Sequence, residues 1–522
     1  MGPGENYHEA HAEEIKALLS DDKLSQDFKF EFSDDSDRVQ DIENQQRPVT
    51  PRRCPYKWKG ILAATLAGLS LVFLSGCIHK HASSSCTREQ PCPQAATSNA
   101  GKLFNNGTHD FKRTVVMVSI DGLRADYLDR GFTPHLLDIS KKGLRAKYMK
   151  PIFPTLTFPN HWALMTGLHA ESHGIVANNF YDPVSDNVFA YNKPESCWNS
   201  SWWYGEPMWE TAEKAGITTA NLMWPGPPVT SDGGSSTYFI PWRDHVPLRE
   251  KLDQILTWVD LPVETRPQLV LAYEPSLDQA GHLTGPLSLL VNTTLAEVDV
   301  FAKELQESLA DRNLTDIVDI IFVSDHGMTD TSHPEWFFID DILGDDINLV
   351  EHSDGWPSMG LRFKPEADLT RIYDILYDAA SKNEEKFEVF THETMPERYH
   401  FSNNYRIAPI YVVPKEGYAL ATHSEDTTLM SKGNHGYDNE NPSMHAMFVA
   451  HGPFSFDAKA TSLSSRSAEA WHSVQDDAYV MPGFPNVEIY NLIMRLLDVD
   501  EQRWAPTNGT DAFWDAYLPE DI

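Results

Sequence analysis

Val115-Val116-Met117-Val118-Ser119-Ile120 is a short, nearly continuous apolar run that stops on Asp121. A stretch with no polar alternation leaves no face for water, so it predicts a strand covered on both sides. Comparable runs recur at Ala220–Met223, Leu269–Tyr273, Ile317–Val323, Ile407–Val413 and Ala446–Ala450. Helical patterns lie between several of them. After Asn292, Thr294 and Glu297 match a capping box, and Val298, Phe301, Leu305 and Leu309 fall on one helical face. Strands alternating with helices predict an α/β fold with a mostly parallel central sheet flanked by helices. No internal repeat is visible.

Open α/β sheets bind ligands beyond the carboxyl ends of their strands. Asp121 follows the first run directly, and Asp325-His326 follow the 317–323 run. Asp278 stands shortly after the 269–273 run, with His282 four residues on; Gly281 and Gly285-Pro286 read that segment as a loop. His435 lies among Gly433, Asn434 and Gly436. The stretch Phe153-Pro-Thr-Leu-Thr-Phe-Pro-Asn-His161 contains two prolines, each of which locks φ and restricts its predecessor. Thr155 and Thr157 are therefore expected on a stiff, non-helical turn. Asn178 and Asn179 follow with amide donors.

These residue types make chemical sense together. Aspartate and histidine suit zinc, with three protein ligands per ion leaving a position open. Two such ions on the order of 4 Å apart clamp the attacking and leaving oxygens of an in-line displacement. A threonine hydroxyl needs that kind of activation to attack at neutral pH. No Gly-rich phosphate loop is present, which fits metal-borne phosphate binding.

The formal charge of −34 excludes a protein that coats nucleic acid, because long polyanions are held by many Lys and Arg contacts. Small phosphates remain open to it, since metals neutralise their charge. Residues 1–50 carry thirteen Asp or Glu against five Lys or Arg and read as a disordered cytosolic tail, extending to residue 58. Gly60–Ile78 is nineteen residues without a formal charge, long enough to span a bilayer, and residues 59–79 are expected to be a transmembrane signal anchor. Arg52, Arg53, Lys57 and Lys59 precede it, the bias of a type II protein with its C-terminal part outside the cytosol. That part faces the extracellular space or the lumen of a secretory or vacuole-like compartment. Sequons at Asn106, Asn199, Asn292, Asn313 and Asn508 all follow the span, as glycosylation there requires. Residues 80–111 read as a stalk and 112–515 as the catalytic domain. Cys86 and Cys92 are close enough in sequence to pair, which leaves Cys197 over; no cysteine spacing reads as a zinc site.

From about Arg113 to Thr510 the chain resembles the nucleotide pyrophosphatase/phosphodiesterase family of the alkaline phosphatase superfamily. The matching stretches include Ser119-Ile-Asp-Gly-Leu-Arg124, Pro154-Thr-Leu-Thr-Phe-Pro-Asn160, Asp278-Gln-Ala-Gly-His282, Ser324-Asp-His-Gly-Met328 and Asn434-His-Gly-Tyr-Asp438. The resemblance implies an alkaline-phosphatase-like fold and two zinc ions. Thr157 would be the nucleophile. Asp121, Asp325 and His326 would hold the ion that activates it, while Asp278, His282 and His435 would hold the second. Asn178 and the Thr157 backbone N–H would stabilise a phosphoryl oxygen. The product would be a nucleoside 5′-monophosphate, released from a covalent threonine intermediate.

Relatives cut nucleotide diesters or choline-headed lipids, so the substrate class stays open. For a nucleotide, Phe189 and Trp242 occupy roughly the positions of base-stacking aromatics. For choline, Trp202-Trp203-Tyr204 offers a cation–π cage. A sulfatase would need a C/S-x-P-x-R context, which is absent at Thr157. A phosphomonoesterase is not excluded by the residues alone, and from a different class an inactive glycosylated surface protein is a further alternative. The expected partners are small nucleotides and, through one helix, the lipid bilayer.

Overall fold

The computed structural model describes residues 102–425, 427, 430–464, 479–510 and 512–518. The acidic tail, the Gly60–Ile78 span, Cys86 and Cys92 lie outside the described residues. Among the described residues, no helix is long and apolar enough to cross a membrane.

Eight strands form the central sheet, in the order Tyr479–Met481, Leu144–Ala146, Phe448–His451, Val318–Val323, Thr114–Ile120, Leu269–Glu274, Thr219–Leu222, Tyr238–Ile240. The apolar runs follow from its burial. Along Thr114–Ile120, Val115 and Met117 pack into one hydrophobic core while Val116, Val118 and Ile120 pack into another. Strands 269–274 and 318–323 divide in the same way, with Leu271 and Ile321 on one side and Val270 and Phe322 on the other. Successive side chains point to opposite faces, so a strand buried on both must be apolar throughout.

Helices Pro134–Lys142, Leu248–Val259 and Leu289–Asp311 supply the second of these cores. The last begins earlier than the sequence suggested. Ser288 is its cap, with a side chain that accepts from the Val291 N–H, and Thr294 is a buried interior residue. Val298, Phe301, Leu305 and Leu309 form its buried face as expected.

Two apolar runs take other places than a parallel sheet implies. Phe448–His451 lies in the central sheet but runs antiparallel to both neighbours. The 407–413 run becomes strand Ile410–Pro414 of a separate antiparallel sheet, ordered Val350–Asp354, Met359–Phe363, Ile410–Pro414, Phe387–Phe390. Helix Leu369–Ser381 shares a core with that sheet. The fold also starts before the expected stalk boundary. Phe104–Asn105 pairs with Asp110–Phe111, Phe111 is buried, and the Arg266 guanidinium lies over its ring.

Register puts the chemistry on one edge. Ile120 lies opposite Glu274, and Val323 opposite Ser119, so the three central strands end nearly level. Asp121 and Asp325 leave the sheet side by side.

Candidate active site

Asn160 buckles the Pro-bounded stretch. Its Oδ1 accepts the Ile152 N–H at 2.8 Å, and its Nδ2 donates to the carbonyls of Pro154 and Leu156 at 3.0 and 2.9 Å. This closes the turn onto a helix, Thr157–Thr166, whose first residue is Thr157. Thr157 is thus helical, where a non-helical turn was expected. Pro159 sits in the first turn, where helix N–H groups have no intrahelical partner and a missing one costs nothing.

The two threonines have separate uses. Thr155 Oγ1 donates to the Tyr437 carbonyl and accepts the Gly436 N–H, both at 2.9 Å. Thr157 Oγ1 instead lies 3.2 Å from His326 Nε2.

Two triads meet beside that hydroxyl's partner, His326, whose ring stacks on His435. Asp121, Asp325 and His326 form one, and Asp278, His282 and His435 the other; the ligand atoms of each lie within 4.8 Å of one another. His326 Nε2 is 2.9 Å from Asp325 Oδ2 and 3.3 Å from Asp121 Oδ1. Asp278 reaches His282 Nε2 at 3.3 Å and His435 Nε2 at 3.5 Å. Contrary to the loop reading, Asp278 and His282 stand one turn apart on helix Ser276–Thr284, which brings both to one face.

Hydrogen bonds at the far nitrogens define what these rings offer. The Nδ1 atoms of His326, His282 and His435 face the carbonyls of Gly327, Gly433 and Thr155 at 2.9, 2.9 and 2.8 Å. A carbonyl only accepts, so each Nδ1 carries the hydrogen and each Nε2 presents a lone pair. Those lone pairs converge on carboxylate oxygens, and on each other at 3.1 Å between His282 and His435. Asp121 Oδ1, Asp278 Oδ1 and Asp325 Oδ2 are buried without a hydrogen-bond partner. Lone pairs facing lone pairs in a largely buried pocket fit a cation, and sets of two oxygens with one nitrogen, and of one oxygen with two nitrogens, fit zinc.

The carboxylates and rings perturb one another strongly. Burial, and then the Asp325 and Asp278 charges, hold the Asp121 carboxyl well above the ordinary range. Burial pushes Asp278 the same way, but His282, His435 and His326 outweigh it and bring it to about 2. Burial and the neighbouring His326 push His435 down to about 3.

Asn178 is held by the residue after Thr157. Its Oδ1 accepts the Phe158 N–H at 2.9 Å, and among the described residues no hydrogen bond engages its Nδ2. The Thr157 N–H belongs to the first turn of its helix, at the positive end.

The aromatic expectations fare differently. Phe189 is fully buried, stacked on Phe180 and edge-on to Trp202 and Trp203, so it has no face for a base. Core packing has claimed it. Trp242 follows the edge strand Tyr238–Ile240, half-buried against the core on the helix 248–259 side. Nor is Trp202-Trp203-Tyr204 an open cage. Trp202 and Trp203 are buried, and the Arg406 guanidinium already lies 5.1 Å from the Trp202 ring and 4.3 Å from the Tyr204 ring.

Three residues escaped the sequence reading. Phe158 directly follows Thr157 and is half-buried. Tyr273 donates its hydroxyl to Asp121 Oδ2 at 2.5 Å. His161 reaches toward Asp325 from one helical turn beyond Thr157, a spacing visible in the sequence. Of the sequons, Asn199, Asn313 and Asn508 are exposed and Asn292 half-buried, while Asn106 Nδ2 donates to the Arg312 carbonyl at 2.8 Å.

The sequence profile of the family described as Type I phosphodiesterase / nucleotide pyrophosphatase matches residues 115–438. An uncharacterized pyrophosphatase/phosphodiesterase of Schizosaccharomyces pombe is 41% identical over 417 residues, spanning 78% of this chain and 81% of that protein. Ectonucleotide pyrophosphatase/phosphodiesterase family member 3 of Rattus norvegicus is 34% identical over 400 residues, which is 76% of this chain but only 43% of that longer relative. Among solved structures, murine ectonucleotide pyrophosphatase / phosphodiesterase 5 superposes with a TM-score of 0.66 at 30% identity, over 78% of this chain and 99% of that one. An inactive threonine-to-alanine form of the same murine protein, in complex with AMP, gives 0.67. By profile, by sequence and by fold, this chain belongs to the type I phosphodiesterase / nucleotide pyrophosphatase family of hydrolases.

Proposed function

We propose that the protein is a two-zinc hydrolase that cleaves pyrophosphate and phosphodiester bonds of nucleotides and releases nucleoside 5′-monophosphates. The observation that carries this reading is the placement of Thr157 Oγ1 3.2 Å from Nε2 of His326, a member of one of two cation-ready triads. When bound, zinc supplies Lewis acidity and lowers the pKa of coordinated oxygens. Asp121, Asp325 and His326 would hold the ion beside Thr157, and Asp278, His282 and His435 the other.

The chain's own part is positioning and charge. Thr157 Oγ attacks phosphorus as the bond to the leaving group breaks, and its proton is lost to solvent. Asn178 Nδ2 and the Thr157 N–H donate to a non-bridging oxygen as its charge grows. Water then attacks the threonyl phosphodiester and regenerates the hydroxyl. A murine relative bound to AMP, and inactive after a threonine-to-alanine change, supports both the substrate class and the nucleophile type. Phe158, beside Thr157, and Trp242 are the aromatics proposed to meet the base. The occupied face of Tyr204 weighs against choline there.

The same reading places the protein in a membrane of the secretory or vacuolar system, anchored by residues 59–79, with the catalytic domain glycosylated outside the cytosol. The purified 80–522 fragment, assayed on a chromogenic thymidine 5′-diester with and without chelator, tests the activity. Chelator-sensitive release of thymidine 5′-monophosphate is expected; turnover unaffected by complete metal removal contradicts the reading.

A further inference from the structure

We propose that His161 is a positioning residue that ties the Thr157 helix to Asp325 and so sets the attacking hydroxyl against its triad. The inference rests on the two-triad reading above. His161 is fully buried, and both ring nitrogens are engaged. Nδ1 lies 2.9 Å from the carbonyl oxygen of Thr157 itself. That oxygen only accepts, so Nδ1 carries the hydrogen. The same Nδ1 stands 3.3 Å from Asp325 Oδ2. Its N–H dipole therefore faces a ligand carboxylate while its hydrogen bond holds the nucleophile's backbone. On the far side, Nε2 accepts from the Ser119 hydroxyl at 2.9 Å, which stops the ring from turning over. With both nitrogens engaged in this way, His161 is not a seventh ligand.

The ring is also boxed by packing. Trp224 and Tyr273 meet it edge-on, with centroids at 5.3 and 5.0 Å. Tyr273 in turn donates to Asp121 Oδ2 at 2.5 Å. The two carboxylates of one triad are thus backed by two side chains that touch each other, one from strand 269–274 and one from the Thr157 helix. Groups that orient metal-binding side chains change metal affinity or activity by about 10–100-fold when removed.

The test separates the two ring nitrogens. In His161→Asn the amide N–H takes the place of Nδ1; in His161→Gln it takes the place of Nε2. Zinc affinity is read by chelator competition, and kcat and KM are measured separately with zinc saturating. His161→Asn should stay within about 5-fold of wild type in zinc affinity and kcat. His161→Gln should bind zinc ~10–100-fold more weakly. At saturating zinc its kcat should still fall about 100-fold, with KM little changed, as expected when a nucleophile is misplaced. Equal losses in two folded variants overturn the proposal, as does a His161→Gln variant with wild-type zinc affinity and kcat. Should either variant not fold, Ser119→Ala carries the test. It frees Nε2 while keeping the ring, and should lower kcat about 10-fold at unchanged KM; a wild-type kcat there overturns the proposal. If wild-type protein neither binds zinc nor hydrolyses the diester, the two-zinc reading fails instead.

Discussion

The imidazole rings of His326 and His435 lie face to face, 3.5 Å between centroids and 14° from parallel. They belong to different triads, so this stack makes two sites into one. Each ring is anchored by Nδ1 to a backbone carbonyl, and the carbonyl under His435 is that of Thr155, in the turn that delivers Thr157. The geometry of the hydroxyl and the spacing of the triads are therefore set by the same few contacts.

Metal removal follows from that arrangement. Three buried carboxylate oxygens without hydrogen-bond partners face three imidazole lone pairs. A cation that binds only the folded state adds to its apparent stability. Exhaustive chelation should lower Tm, and zinc should restore both Tm and activity. An unchanged Tm in protein shown to be metal-free by elemental analysis would contradict this.

Phe158 and Phe189 should separate cleanly. Base–aromatic stacking contributes roughly 1–3 kcal/mol. Phe158→Ala should accordingly lower kcat/KM for nucleotides by about 5–150-fold, and much less for a bis(p-nitrophenyl) diester, which has no base. Phe189→Ala empties a packed aromatic core and should cost roughly 3–5 kcal/mol of stability. Loss of nucleotide selectivity in a stable Phe189→Ala variant would reverse the assignment.

Asp319 predicts a pH effect away from the site. It is buried in strand 318–323, and burial raises its pKa from an ordinary 3.8 to about 7. Between those values the folded chain holds a proton that the unfolded chain has lost. Stability from this group is thus complete below 3.8 and declines as pH rises to about 7. Asp319→Asn can still accept the Phe454 N–H, which Oδ1 now takes at 2.7 Å. It should gain on the order of 4 kcal/mol at pH 8 and little at pH 4. Melting curves at both pH values decide; an equal effect at each would mean that Asp319 does not titrate as described.

How much of this was legible beforehand depended on what kind of fact it was. Strands buried on both faces announce themselves by unbroken apolar runs, whichever way they point. That is why the reversal of Phe448–His451 and the diversion of the 407–413 run were invisible. Asp278 and His282 were paired correctly but assigned to a loop because of Gly281. That glycine instead permits close approach: a Cβ on it would stand 2.9 Å from the Met328 side chain, and one on Gly433 would stand 2.4 Å from the Gly281 carbonyl oxygen. The contact brings the Gly433–Asn434 strand, and His435 after it, against the helix that carries His282. Phe189 shows the other limit. An aromatic side chain carries the same letter in a core and at a binding site, and only packing separates the two.

In the proposed mechanism Thr157, and not its neighbour, attacks phosphorus. Thr155 and Thr157 share one short turn, yet the hydroxyl of Thr155 is consumed by Tyr437 and Gly436 while that of Thr157 faces His326. The direct measurement is single-turnover hydrolysis of a nucleotide diester by zinc-loaded Thr157→Ala and Thr155→Ala. Thr157→Ala should keep its metal and fold but lose roughly 10⁴–10⁶-fold in rate, as when one member of a concerted group is deleted. Thr155→Ala should lose about 1–3 kcal/mol of stability, since it leaves a buried N–H unpaired, and keep most of its rate. Near-normal turnover by Thr157→Ala, with Thr155→Ala inactive though folded and metal-loaded, would contradict the account.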